Sequence, residues 1–277
     1  MSLLKKILLG IGETGRRNLS LFVGKLFFFI LKKRKKDVLN NLKIAFPDKG
    51  EYWRKRICYK TYLHFSQVFL DFLPLYFASD KWIKGKIVIN NLDTVKDLTT
   101  DTGCVIVGFH FGNWEIIPEV LVRRRFNLAS VAKSLKNRAI NDIVRDIRIR
   151  NGMKIIDMND SVLKMVSHVK RGGILYIIPD QYAGRRGRDL DFFGIKTKVF
   201  IGPSRLSLKL NVPMILATCN LVNGKYYVNF DALKFDKHDY SEENVLKLTG
   251  IYFRYYEEKI CKNPEQYFWF HRRWKKR

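Results

Sequence analysis

From Gly103 onward, short apolar runs alternate with segments of helical periodicity, and this restricts the chain to few folds. "CVIVGF" (Cys104–Phe109) and "ILYII" (Ile174–Ile178) are continuous apolar runs, as expected of strands buried on both faces. Leu128–Ala132, Lys154–Asp157 and Met214–Cys219 read as further strands, and Tyr226–Phe230 alternates like a half-exposed one. Between them a helix is expected from about Asn113 to Arg124. A second carries Ile140, Ile143, Val144 and Ile147 on one face and ends at Asn151-Gly152. Ser161–Lys170 and Glu242–Cys261 are the remaining helices. Such alternation predicts an α/β domain with a mostly parallel central sheet flanked by helices. Upstream, Arg54 to Leu73 places Ile57, Tyr62, Phe65, Phe69 and Phe72 at roughly helical spacing, with Pro74 expected to stop the helix.

The N-terminal segment is of another kind. Its apolar part, Leu19 to Leu31, contains Lys25 and is followed by Lys32-Lys33-Arg34-Lys35-Lys36. A bilayer span needs about 20 apolar residues, so this stretch is too short. Aromatics and leucines beside a basic run suit a helix lying on an anionic membrane surface. The competing readings are a core helix with a solvated basic end, or a single anchor. Two parts follow: residues 1–36 as a membrane-associating helix and basic cluster, and 37–277 as one α/β domain.

With 52 Lys+Arg against 26 Asp+Glu, the net charge of +26 favours an anionic partner: nucleic acid, an anionic membrane or an acidic protein. Cys58, Cys104, Cys219 and Cys261 form no CxxC pair and no metal-ligand spacing with histidine, so they read as buried reduced thiols. There is no GxSxG, HExxH or P-loop, which removes the signatures of serine hydrolases, zincins and nucleotide binders.

The chemistry concentrates in "VGFHFGNWEIIPE", Val107–Glu119. "CVIVGF" ends at His110, and in open α/β sheets sites lie at the carboxyl ends of strands. Five residues apart in one helix, His110 and Glu115 would point about 140° away from each other. They meet if His110 sits on the turn after the strand and Glu115 on the first turn of the next helix, with Gly112 supplying the bend and Asn113 the N-cap. The carboxylate would then accept from Nδ1–H and leave Nε2 free as a base, and helix-start N–H groups could bind an oxyanion. The bland alternative is an ordinary loop histidine with an acid nearby. His64 and His168 fall in helical patterns and read as packing or surface residues, and His238 as a loop residue.

"HFGNWE" resembles the His-x4-Asp/Glu motif of the glycerolipid acyltransferase superfamily, and four further segments resemble its bacterial lipid A late-acyltransferase branch in order. These are "NNLKIAFPD" (Asn40–Asp48), "KSLKNRAIND" (Lys133–Asp142), "PDQYAGRRGRDLDFFG" (Pro179–Gly194) and "NPEQYFWFHRRWK" (Asn263–Lys275). Lys133 stands where the family usually has Arg, which keeps a cation but loses a bidentate fork, and Arg138 where it often has Pro.

The resemblance implies transfer of a fatty acyl chain from acyl carrier protein to a hydroxyl of a lipid A precursor, at the cytoplasmic face of a bacterial inner membrane. It implies no cofactor and no metal. His110 would be the base and Glu115 its orienter. Asn113, Lys133, Asn137, Asp180 and Gln181 would line the substrate site. Arg148 and Arg150 would meet phosphate; on spacing alone they are a helix's solvated end. Phe193 and Gly194 would wall the acyl channel or pack as core. Arg185, Arg186, Arg188, Arg272, Arg273 and Lys32–Lys36 are candidates for acidic partners. The rivals are an acyltransferase for another glycolipid or phospholipid using acyl-CoA, and a non-catalytic basic protein binding membrane or nucleic acid. The last is disfavoured because no RNA-recognition module is visible.

Overall fold

The computed structural model describes residues 10–77, 79–133, 137–158, 160, 162–236 and 239–275, without the side chains of 73, 139 and 140. His238, the residues 134–136 inside the Lys133–Asp142 segment, the side chain of Ile140 and the predicted helix start at Ser161 lie outside them. Three helices come first: α1 (Glu13–Ile30), α2 (Lys32–Ala45) and α3 (Glu51–Phe77). Short helix α4 (Asp80–Lys86) leads into β1 (Ile87–Asn90) and α5 (Leu92–Leu98). The alternating region follows as β2 (Cys104–Val107), α6 (Ile116–Arg123), β3 (Leu128–Ala132), α7 (Arg138–Ile149), β4 (Lys154–Asp157), α8 (Val162–Lys170) and β5 (Ile174–Ile177). A hairpin, β6 (Arg188–Phe192) and β7 (Ile195–Val199), precedes α9 (Gly202–Leu210), β8 (Met214–Val222), β9 (Lys225–Ala232) and α10 (Glu242–Lys262).

Seven strands form one sheet in the order β1-β9-β8-β2-β5-β3-β4. Every pairing in it is parallel except β8 with β9. The expected α/β sheet is therefore present. β2 is fully buried along its length, as a continuous apolar run demands. One apolar layer on the sheet centres on Phe109, Tyr252, Tyr256 and Trp269, and another on Ile106, Ile117, Leu121 and Val228.

Two boundaries differ from expectation. Pro74 does not stop α3, which continues to Phe77. It falls in the last turn, where its missing N–H removes one hydrogen bond without opening the helix interior. Of the expected apolar face on α7, Ile147 is buried but Ile143 is 59% exposed. Among the cysteines, Cys58, Cys104 and Cys219 are buried free thiols, whereas Cys261 is exposed.

Helix α1 packs onto α3 with an inverted face. Its buried residues are Arg16, Ser20 and Gly24, one turn apart. A Cβ at Gly24 would come within 2.9 Å of the Leu63 Cα, so glycine permits the close crossing. Arg16 pairs with Asp71 at 3.7 Å, and Lys86 bonds Glu13. Phe22, Phe29 and Ile30 point outward, 64%, 69% and 60% exposed. Among the described residues, no helix is long and apolar enough to cross a membrane.

Candidate active site

Sheet register builds the site. β2 and β5 pair in parallel with Val107 opposite Ile177, and the Gly108 N–H donates to the Ile177 carbonyl at 2.9 Å. Three residues beyond each paired end stand His110 and Asp180, so two neighbouring strands deliver them to the same level. The Asp180 carboxylate takes the His110 Nδ1 at 2.6 Å and the His110 backbone N–H at 3.2 Å. Burial pushes the Asp180 carboxyl up, but the His110 imidazole, the hydrogen bonds it makes and the Arg273 guanidinium outweigh this and hold it below the usual value. A carboxylate only accepts, so Nδ1 carries the proton and Nε2 is left as the acceptor. Gln181 lies beside that nitrogen, its Nε2 at 3.4 Å.

Glu115 is not the partner of His110. It is the N-cap residue of α6, and its carboxylate turns away toward α7 and α3. Arg148 grips it with two nitrogens, Nη2 to Oε1 at 2.5 Å and Nε to Oε2 at 3.1 Å. The Trp114 indole N–H donates to Oε1 and the Tyr76 hydroxyl to Oε2, each at 3.1 Å. Four donors occupy the carboxylate, and the pairing with Glu115 raises the Arg148 pKa above its ordinary value. The Glu115 link to the imidazole is indirect: Trp114, held by Glu115, sets its ring edge-on to His110 at 4.8 Å.

The turn between β2 and α6 is fixed by backbone. Gly112 has φ +61, and a Cβ there would lie 1.6 Å from the Cys219 carbonyl oxygen. The expected bend is therefore obligatory. Asn113 is not the N-cap. It is 1% exposed; its N–H donates to Cys219 O at 3.0 Å and its carbonyl accepts from Ile116 N at 3.1 Å. The N–H groups of Phe111, Gly112, Asn113 and Ile116 all have backbone acceptors, so these four are not free to meet an oxyanion.

Residues of α2 and of the segment after α10 converge on the turn. The Phe268 N–H donates to His110 O at 2.8 Å, and Gln266 O accepts from Gly112 N at 2.7 Å. The Gln266 side chain clasps both backbone groups of Leu221 at 2.9 Å. From α2, the Asn41 amide donates to the carbonyls of Trp269 and His271. Thus "NNLKIAFPD" and "NPEQYFWFHRRWK" are two halves of one clamp. Arg273 is 1% exposed and bonds Thr197 and Lys198, so it is no surface contact for an acidic partner. Arg272 is exposed and pairs with Asp37 at 2.9 Å.

The other predicted residues divide. Lys133 and Arg148 share a cleft with Asn141, Arg145, Asp157 and Asp160 at the carboxyl ends of β3 and β4. Asn137 is exposed, with its carbonyl capping Asn141 N. Arg150 is exposed and sits over the Phe77 ring at 4.4 Å, with no part in the cleft. Phe193 and Gly194, with φ 54 and 69, form the β6–β7 turn. Phe193 packs on Phe46 and Trp269, which is the core reading of that motif rather than a channel wall beside His110.

An apolar groove of about 280 Å³ is lined among others by Phe27 of α1, Leu31 between α1 and α2, Phe65 and Phe69 of α3, and Phe268 and His271, whose rings each lie 6.1 Å from the His110 imidazole. Sequence reasoning missed it because its walls come from segments some 200 residues apart. It also placed Asp180 near substrate and not on the base; the register of two strands, invisible in a single sequence, decides that.

The sequence profile of a family described as bacterial lipid A biosynthesis acyltransferase matches residues 3–276. The chain is 22% identical over 251 residues to the lipid A biosynthesis palmitoleoyltransferase of Escherichia coli K12, covering 89% of this chain and 80% of that protein. It is 24% identical over 265 residues to the lauroyltransferase of the same organism, covering 92% and 83%. A phosphatidylinositol mannoside acyltransferase of Mycobacterium tuberculosis is 23% identical over 174 residues, covering 61% and 51%. With the profile spanning nearly every residue, this chain belongs to the bacterial lipid A biosynthesis acyltransferase family.

Proposed function

We propose that the protein transfers a fatty acyl chain from acyl carrier protein to a hydroxyl of a lipid A precursor, at the cytoplasmic face of a bacterial inner membrane. The observation that carries the chemistry is the His110–Asp180 pair at 2.6 Å beside the apolar groove. The acceptor hydroxyl donates to His110 Nε2 and loses its proton as its oxygen attacks the thioester carbonyl. The tetrahedral intermediate collapses by breaking the C–S bond, and the His110 proton passes to the departing thiolate. Asp180 fixes the tautomer and balances the imidazolium, which makes it the orienting residue in place of Glu115. Glu115 acts through Trp114. The acyl chain lies in the groove, whose apolar walls favour it, and an anionic group of the acceptor meets Lys133 and Arg145.

The same reading accounts for α1. An exposed apolar face with a polar face turned inward suits burial in the headgroup region, next to the basic start of α2. The groove shares α1 with that face, so a lipid substrate would reach His110 without crossing water. A second glycolipid acceptor is the nearest alternative, given the mannoside acyltransferase among the relatives.

The test is acyl transfer with purified protein, a carrier-protein thioester series and a lipid A precursor, read by mass spectrometry. One added acyl chain, absent with His110→Ala, supports the reading. Transfer from coenzyme A thioesters only would overturn the donor, and an active His110→Ala variant would overturn the base.

A further inference from the structure

The attack creates negative charge on the thioester oxygen, and four backbone donors in the turn after His110 are already bonded. Phe111, Gly112, Asn113 and Ile116 each give their N–H to a carbonyl of the turn, of β8 or of the C-terminal segment. A buried oxyanion without a donor is costly, and a side chain next to the base can supply one. Resting on the acyltransfer reading, we propose that the ring N–H of His271 meets the thioester oxygen as charge develops on it.

His271 has the placement for this. Its ring centroid is 6.1 Å from that of His110, with the planes inclined at 51°. A reacting carbon needs its attacking oxygen about 3 Å from the base and its oxyanion about 3 Å from the donor, and two neighbouring rings can meet both oxygens of a thioester that sits along their shared edge. His271 also lines the groove with Phe268 and Phe270, so a chain lying there can bring its carboxyl end to the edge of the histidine pair. Neither ring nitrogen of His271 has a hydrogen-bond partner among the described residues, so the donor is uncommitted before substrate arrives.

The backbone behind it is held on both sides. Asn41 binds the His271 carbonyl, and Phe268, three residues earlier, is bonded to His110 itself. The ring is thus carried on a strap tied to the base it serves, which limits reorganisation during the reaction.

The surroundings keep the imidazole in the right state. Burial pushes the His271 pKa down. His110, Arg34 and Lys275 push the same way, and Asp180 opposes them. A neutral ring keeps one N–H to donate and does not compete with the His110 imidazolium that forms as the proton moves. The electrons balance: the π pair moves to oxygen on attack, His271 bonds that oxygen while keeping its own proton, and the pair returns as C–S breaks.

The experiment compares full-length wild type, His110→Ala, His271→Ala, His271→Phe and His271→Gln, using whichever carrier-protein or coenzyme A thioester wild type turns over fastest. Thermal midpoints and near-ultraviolet circular dichroism check the fold. We expect His271→Ala and His271→Phe to lose about 10²-fold in kcat, the usual effect of removing one oxyanion donor, with KM for the donor within about threefold. His271→Gln, which retains an N–H, should recover at least about tenfold of that loss. A raised KM with unchanged kcat, or a Gln variant no better than Phe, overturns the assignment and leaves His271 a groove wall. Those results with an inactive His110→Ala spare the acyltransfer reading. A wild type that uses no thioester at all removes both.

Discussion

Arg148 meets Glu115 through two nitrogens at 2.5 and 3.1 Å, joining α7 to the N-cap residue of α6. The side chains are 25% and 12% exposed, so this is a largely buried, bidentate pair and not the solvated end of a helix. It spends the carboxylate that the His-x4-Glu spacing assigns to the base.

The first prediction concerns this pair. Removing one partner strands the other, which costs about 3–5 kcal/mol when fully buried. Here Trp114 and Tyr76 still donate to Glu115 and Arg148 keeps some solvent, so Arg148→Met should cost about 2–3 kcal/mol. Chemical unfolding of the two single variants and of Glu115→Gln/Arg148→Met measures it. A coupling near zero would mean the pair is incidental.

Gly112→Ala should abolish the native turn. Its Cβ would sit 1.6 Å from a carbonyl oxygen, and φ +61 is unfavourable for alanine. We expect a loss of at least about 3 kcal/mol or no soluble protein. A variant with wild-type midpoint and activity would contradict the description of the turn.

How much of this was legible in sequence depends on range. β3 and β4 begin and end where their apolar runs do, and β2 was exposed by its unbroken hydrophobicity. The β6–β7 hairpin escaped, because its turn is Phe193-Gly194 and a phenylalanine at φ 54 is not the residue that signals such turns. β1 escaped because it is four residues at the sheet edge, pairing with β9 far along the chain. In the site, His110 and the Gly112 bend were local and readable. The His110–Asp180 contact spans 70 residues, and spacing favoured the nearer acid.

His64 gives a pH signature. Burial depresses its pKa from 6.5 to about 4, and the nearby Gly112 backbone only partly opposes this. Below 6.5 the unfolded chain takes a proton that the folded chain refuses until about 4, so this contribution to stability is full above 6.5 and lost as pH falls toward 4. Between pH 7 and about pH 4.5, wild type should lose about 2 kcal/mol more than His64→Phe in urea unfolding. Parallel losses in the two proteins would show that His64 is not buried in its neutral form.

On the membrane side, replacing Phe22, Phe29 and Ile30 together with serine should weaken binding to phosphatidylglycerol vesicles by at least about tenfold. The fold should be unaffected, since all three are more than half exposed. Co-sedimentation reads the binding, and equal affinity with intact helix would refute attachment through this face.

The most direct measurement is kcat for acyl transfer by Asp180→Asn, set against Glu115→Gln. An amide at 180 no longer enforces the Nδ1–H tautomer, so Asp180→Asn should fall by at least about 10³-fold while KM and the unfolding midpoint change little. Glu115→Gln should lose stability first and rate less. An Asp180→Asn protein turning over at the wild-type rate, beside a folded but inactive Glu115→Gln, would contradict the assignment of Asp180 as the carboxylate that orients His110.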